Sequence, residues 1–147
     1  MSLIQNKKAR LNYEILETLT GGVELFGFEV KSVKAGTGSL EGAHVVVRGG
    51  EAFLVEAEIP AFQKANAPEN FDPRRPRKLL FTKKEIALLG AETEKKGISG
   101  IPLTFFLKGR KIKVDIALAR GKKKFDKRET IKKKDTEREM QREMKRG

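Results

Sequence analysis

The residues in this chain with the clearest chemical potential are its cations. Arg74, Arg75, Arg77 and Lys78 crowd one stretch, and Lys7, Lys8 and Arg10 sit near the start. Lys122, Lys123, Lys124, Lys127 and Arg128 open the last fifth of the chain. Guanidinium and ammonium groups neutralise phosphates and release counterions, which gives affinity for a polyanion without reading its sequence. One such cluster is ordinarily a solvated face. Three of them in 147 residues, with Lys+Arg 32 against Asp+Glu 20 and a net charge of +12, point to nucleic acid or an acidic membrane. Phe125 stands alone among the tail cations. It is placed either to stack on an unpaired base or to fold back on the body near Leu118.

Catalytic patterns fail one by one. The only histidine, His44, lies in a strand pattern on the face opposite Ala43 and Val45, with no companion to orient it as a general base. "AGTGSLEG" (35–42) is glycine-rich but lacks the Gly-Lys-Ser/Thr of a phosphate loop, and Gly121-Lys122 is followed by Lys123. "GISG" is one residue short of a nucleophile elbow. Cys 0 removes disulfides and thiolate metal sites. The expectation is a protein that is not an enzyme and holds neither cofactor nor metal. "MSLIQNKKAR" has no secretion signal and no apolar run reaches bilayer length, so a soluble, cytoplasmic protein is expected.

The elements that must position these cations are mostly strands. "YEILET" runs into Gly21-Gly22, a pair that suits a tight reversal into "VELFGF". "AHVVVR" and "EAFLVEAEI" flank Gly49-Gly50, a second hairpin signal. In the latter, Phe53, Val55, Ala57 and Ile59 alternate with Leu54, Glu56 and Glu58, which predicts one buried and one wet face. "IPLTFFLK" and "KIKVDIALA" flank Gly109-Arg110. There Ile112, Val114, Ile116 and Leu118 point one way and Lys111, Lys113 and Asp115 the other.

Two helices interrupt the strands. Thr82-Lys83-Lys84-Glu85 is a capping box ahead of Ile86 and Leu89, and Lys95-Lys96-Gly97 is a stop. "FEVKSVKAG" has Glu29 early and Lys34 late, the order a helix dipole favours. Lys64 to Lys78 holds three of the five prolines and reads as an irregular loop. The pattern predicts a mainly β fold, an OB-like antiparallel β-barrel with inserted short helices, closed or partly closed. A two-layer α+β sandwich is the alternative.

Three parts are expected: a basic N-terminal arm over residues 1–11, an OB-like barrel over 12–120, and a basic tail over 121–147. From Arg120 onward, thirteen Lys/Arg face six Asp/Glu, so more than half the net charge lies in the last fifth of the chain. Only Ile131, Met140 and Met144 are there to be buried, which makes an isolated helix marginal. The tail is therefore expected to be disordered alone and ordered against a polyanion. It lacks the apolar face that membrane insertion needs, so no membrane partner is expected.

Six motifs in order resemble the SsrA-binding protein (small protein B) family of bacterial trans-translation. They are "NKKAR" at Asn6, "YEI" at Tyr13, "GFEVKSVKAG" at Gly27, "GEAFL" at Gly50, "DPRRPRKLL" at Asp72 and "ALARGKKKFDKRETIK" at Ala117. The resemblance implies an OB barrel without catalysis that binds the tRNA-like domain of transfer-messenger RNA. It also implies ribosome rescue, with a tail that becomes helical in the empty mRNA channel past the decoding centre. Alanyl-tRNA synthetase and elongation factor Tu would be indirect partners.

Carried over by position, the RNA-facing set would be Asn6, Lys7, Arg10, Glu29, Lys31, Ser32, Arg77, Lys78, Leu80, Lys113 and Lys122. The ribosome-binding tail would be Gly121, Lys123, Lys124, Phe125, Asp126, Lys127 and Arg128. Three of these positions carry a second reading: Glu29 equally caps its short helix, Leu80 reads as core by pattern, and Asp126 alternatively only holds Lys127 and Arg128 in register. Thr20, Phe71 and Phe125 depart from the family, which commonly has an acid, a His, and a His or Tyr there. The rival reading is a generic single-strand RNA-binding or structural ribosomal barrel protein.

Overall fold

A computed structural model describes residues 2–122. Its elements in chain order are β1 (Ser2–Gln5), α1 (Ala9–Asn12), β2 (Tyr13–Val23), α2 (Gly27–Lys34), β3 (His44–Arg48), β4 (Glu51–Val55), a 3-10 turn (Lys64–Asn66), β5 (Arg77–Leu80), α3 (Lys83–Thr93), β6 (Ile98–Lys108) and β7 (Lys111–Gly121). The strands form one antiparallel sheet in the order β1-β6-β7-β2-β5-β4-β3. The fold is mainly β with short inserted helices, as the strand pattern predicts.

The sheet curls because its long strands are bulged. Register shifts at Ile15/Glu17 in β2 and at Pro102/Thr104 in β6 add an unpaired residue and increase local twist. Pro102, which cannot donate to a ladder, sits beside the second of these shifts. Curling brings β3 back over β6, where a Cβ on Gly100 would lie 2.9 Å from Val45 Cβ. Helix α3 packs at the same opening, with Leu89 fully buried and Gly90 so close that a Cβ on it would lie 3.4 Å from Val47 Cγ1. Thr82 and Glu85 cap it reciprocally, at 3.2 and 3.0 Å, as the capping box predicts.

The β6–β7 hairpin follows its alternation: Ile112, Val114, Ile116 and Leu118 enter the main core. The β3–β4 hairpin turns at Gly49 and Gly50, whose φ of 57° and 75° are what a two-residue turn with both centres left-handed requires.

Four expectations are corrected. Gly21-Gly22 is no reversal; β2 runs straight through it, opposite Val114 and Lys113. These glycines serve close approach: a Cβ on Gly21 would lie 2.9 Å from the Phe81 ring, and one on Gly22 3.2 Å from Leu80 Cβ. In β4 the buried side is Ala52 and Leu54, not Phe53 and Val55. Glu56, with φ 64°, then shifts the phase so that Ala57 and Ile59 are buried. Arg77 and Lys78 belong to β5 rather than to a loop. Finally, the first residues are not a separate arm. β1 pairs with β6, and Ala9 packs with Ile101, Ala117 and Ala119 on the outer side of the sheet.

The β3–β6 contact generates a stability test. Gly100→Ala is expected to cost about 1–3 kcal/mol by overpacking, measured by urea denaturation. Combining it with Val45→Gly is expected to cost less than the two changes summed, because only glycine there removes the opposing Cβ. Gly27→Ala, with nothing within 4 Å of its Cβ position, is the control and is expected to be neutral or stabilising.

Candidate nucleic-acid interface

The outer face of the sheet is built by alternation. In β5, Arg77 and Leu79 point inward while Lys78 and Leu80 point outward. Leu80 is 53% exposed, so it is surface rather than the core residue its pattern predicts. Across the ladder, Leu80 is opposite Gly22, and Gly22 is opposite Lys113 of β7. The missing side chain at Gly22 leaves a trough between an exposed leucine and a lysine. Lys78, Leu80, Lys113, Thr20 and Phe81 line one open depression of about 650 Å³.

The next row continues the face. Thr20 is opposite Asp115, and Asp115 is opposite Thr104. Thr20 Oγ1 donates to Asp115 Oδ1 at 2.5 Å. Asp115 and Thr104 in turn line a second cleft of about 400 Å³ with Asn6, Lys7 and Arg10. The two clefts therefore meet at the Thr20–Asp115 bond. Lys7, Arg10, Lys31 and Lys113 form no ion pair among the described residues. Asn6 is half-buried, and its side-chain amide donates to Pro102 O at 2.9 Å and Leu40 O at 3.4 Å. Lys122 closes this end, its Nζ 3.0 Å from Arg10 O, beside Gly121 at the end of β7. Lys31 is exposed on α2.

Three residues of the predicted RNA-facing set are interior instead. Glu29, Ser32 and Arg77 are at most 1% exposed. Ser32 Oγ donates to Pro60 O at 2.5 Å. The Glu29 carboxylate accepts from the Phe26 N–H at 2.8 Å, from Arg77 Nε at 3.0 Å and Nη2 at 2.5 Å, and from the Arg75 guanidinium. Arg77 also donates to Ala57 O at 2.6 Å and Pro73 O at 2.9 Å. Every buried side-chain polar atom described has a partner. Burial pushes the Glu29 carboxyl up, but the bonds from Arg75, Phe26 and Arg77 outweigh it and hold the group below its ordinary value of 4.5. Burial pushes the Arg77 guanidinium down, and Glu29 opposes that shift.

The motif reading missed Gly22 and Asp115. Asp115 is the acid of an otherwise basic outer row, which is its one signal in the sequence. Gly22 has none, because its place between Lys113 and Leu80 is a matter of register. Lys123, Lys124, Phe125, Asp126, Lys127 and Arg128 lie outside the described residues. His44 is exposed on the edge strand β3, as its alternation predicts.

A curled antiparallel sheet with cations and shallow clefts along its outer face defines the class: an OB-like nucleic-acid-binding protein. The SmpB protein family model matches residues 3–146, and the chain belongs to that family. It is 47% identical over 144 residues to the SsrA-binding protein of Microcystis aeruginosa, covering 98% of this chain and 94% of that one. The SsrA-binding protein of Shouchella clausii is 46% identical, with 96% and 90% covered. A chain from the solved structure "tmRNA-SmpB: a journey to the center of the bacterial ribosome" superposes with a TM-score of 0.71 at 38% identity, covering 89% of this chain and 95% of that one.

Glu29→Gln is expected to destabilise the fold by about 3–5 kcal/mol, because Arg77 keeps its buried charge and loses its partner. The folded value of Glu29 is depressed. Its contribution is therefore complete above the ordinary 4.5 and lost as pH falls through the lower folded value. Denaturation across the acid range is expected to show the gap between wild type and Glu29→Gln shrinking over that window.

Proposed function

We propose that the chain is a noncatalytic adaptor that binds the tRNA-like domain of transfer-messenger RNA and delivers it to stalled ribosomes in the cytoplasm. The observation that carries this reading is near-full-length kinship with SsrA-binding proteins. The outer face supports it, offering Lys7, Arg10, Lys31, Lys78 and Lys113 for phosphates and Leu80 for apolar contact. Asn6, Glu29, Ser32 and Arg77 serve by holding that face in shape rather than by touching RNA. The tail from Gly121, through Lys123, Lys124, Phe125, Asp126, Lys127 and Arg128, reads the empty mRNA channel beyond the decoding centre. Alanyl-tRNA synthetase and elongation factor Tu meet the adaptor only through the RNA. In keeping with this role, no described helix is long and apolar enough to cross a membrane.

The test is a salt-titrated comparison of the tRNA-like domain with an ordinary tRNA of similar size. Much tighter binding of the first at near-physiological salt is expected. Equal binding that weakens in parallel with salt would favour a generic RNA-binding barrel. Lys113→Ala is expected to weaken binding and reduce the salt slope by about 1. Truncation after Lys122 keeps β7 complete and is expected to spare RNA binding while abolishing tagging on stalled ribosomes. Full tagging by the truncated chain would remove the tail's role.

A further inference from the structure

The face has an aromatic end that the cation inventory does not explain. Phe26 occupies the N-cap of α2, a position where Ser, Thr, Asp or Asn would satisfy a free N–H. Phenylalanine has no oxygen to offer there. Glu29 supplies only the reverse bond, from the Phe26 N–H. Phe26 is also 51% exposed, so neither capping nor burial accounts for it.

Its surroundings are ordered around it. The Arg75 guanidinium lies 4.1 Å from the ring centroid and is anchored beneath by the Glu29 carboxylate. Phe28 is tilted against Phe26 at 5.5 Å, and Phe71 meets Phe28 edge-on at 4.9 Å. Phe26 and Arg75 line a shallow cleft of about 260 Å³ with Phe53, Pro76, Lys78 and Glu24. Lys78 also lines the depression that holds Leu80 and Lys113. The aromatic cleft is thus the continuation of the basic face.

We propose that Phe26, backed by Arg75, is a stacking platform for one unpaired base of the bound RNA. This rests on the adaptor reading and adds the chemical class of contact at this end of the face. A base offers a planar π surface to the open part of the ring. The guanidinium on Phe26 adds cationic attraction for the neighbouring phosphate. Glu29 is shared between two guanidiniums, so one positive charge of the three groups remains unbalanced. That favours a polyanion over an apolar protein surface as the occupant. Stacking is tolerant of base identity, so the platform adds affinity and register without sequence readout.

The test uses the full chain and the tRNA-like domain of transfer-messenger RNA. The protein has Trp 0, so Phe26→Trp carries a sole indole reporter; its emission is expected to be quenched when RNA binds. Phe26→Ala is expected to weaken binding by roughly 5- to 150-fold, the equivalent of one lost stack, with the salt slope unchanged. Phe26→Ser restores an N-cap oxygen and is expected to keep the melting temperature while losing the same affinity; a merely structural ring would lose stability and leave affinity intact. Wild-type affinity in Phe26→Ala and Phe26→Ser, with no quenching in Phe26→Trp, would overturn the platform and leave the adaptor reading standing. Failure of the wild-type chain to prefer the tRNA-like domain would overturn the adaptor reading, and this inference with it.

Discussion

One buried carboxylate organises the side of the molecule around α2 and β5. Glu29 accepts bonds from a helix N–H, from Arg75 and from Arg77, so α2, the segment before β5 and β5 itself meet at one group. An uncompensated charge in such a place would cost several kcal/mol, and every bond made there offsets that cost. Ser32 adds a second tie from α2 to Pro60, and the Phe62 N–H adds a third through Phe28 O at 3.2 Å. Because Arg77 is pinned inward, alternation forces Lys78 and Leu80 outward. The outer face is in this sense set by an inner ion pair.

The face then depends on where side chains are missing. Gly21 lets the Phe81 ring lie flat against β2, and Gly22 opens the trough between Lys113 and Leu80. A larger residue at either place would push the ring or the leucine away from the sheet. The Thr20–Asp115 bond bridges β2 and β7 where the two clefts meet. It leaves the second carboxylate oxygen of Asp115 as an acceptor in a cationic setting, a group suited to base edges rather than to phosphates.

Hairpins and caps were legible because their signals are local. Gly49-Gly50 and the Thr82 box act within four residues, and both behave as their chemistry predicts. Gly21-Gly22 is a dipeptide of the same composition with the opposite use, and its partners Leu80 and Phe81 lie some sixty residues away in sequence. Arg77 read as surface because arginine is seldom fully buried; the acid that makes burial possible is 48 positions distant. Glu56 reversed the phase of β4 through a single left-handed φ, which no alternation count registers. The N-terminal residues read as an arm because their apolar partners, Ala117 and Ala119, are small and sit on the face of β7 that otherwise carries charge. What escaped the sequence was long-range pairing and one left-handed residue; composition and the turn and cap signals at Gly49-Gly50 and Thr82 held.

The ion-paired cations accordingly fall into two kinds with different physical roles. Lys8 with Glu41, Arg74 with Glu58 and Lys78 with Glu51 are exposed pairs. Such pairs are worth little in water and exchange readily for a phosphate oxygen. Arg77 cannot exchange: its donors are committed to Glu29 and to three backbone carbonyls inside the fold. Arg75 stands between these limits, anchored to Glu29 yet partly exposed on the Phe26 ring. A net charge of +12 brings a polyanion to the surface from any direction. Groups whose positions are fixed before binding can add what net charge cannot, and in this chain those tied to the Glu29 carboxylate and to the Thr20–Asp115 bond are fixed in this way.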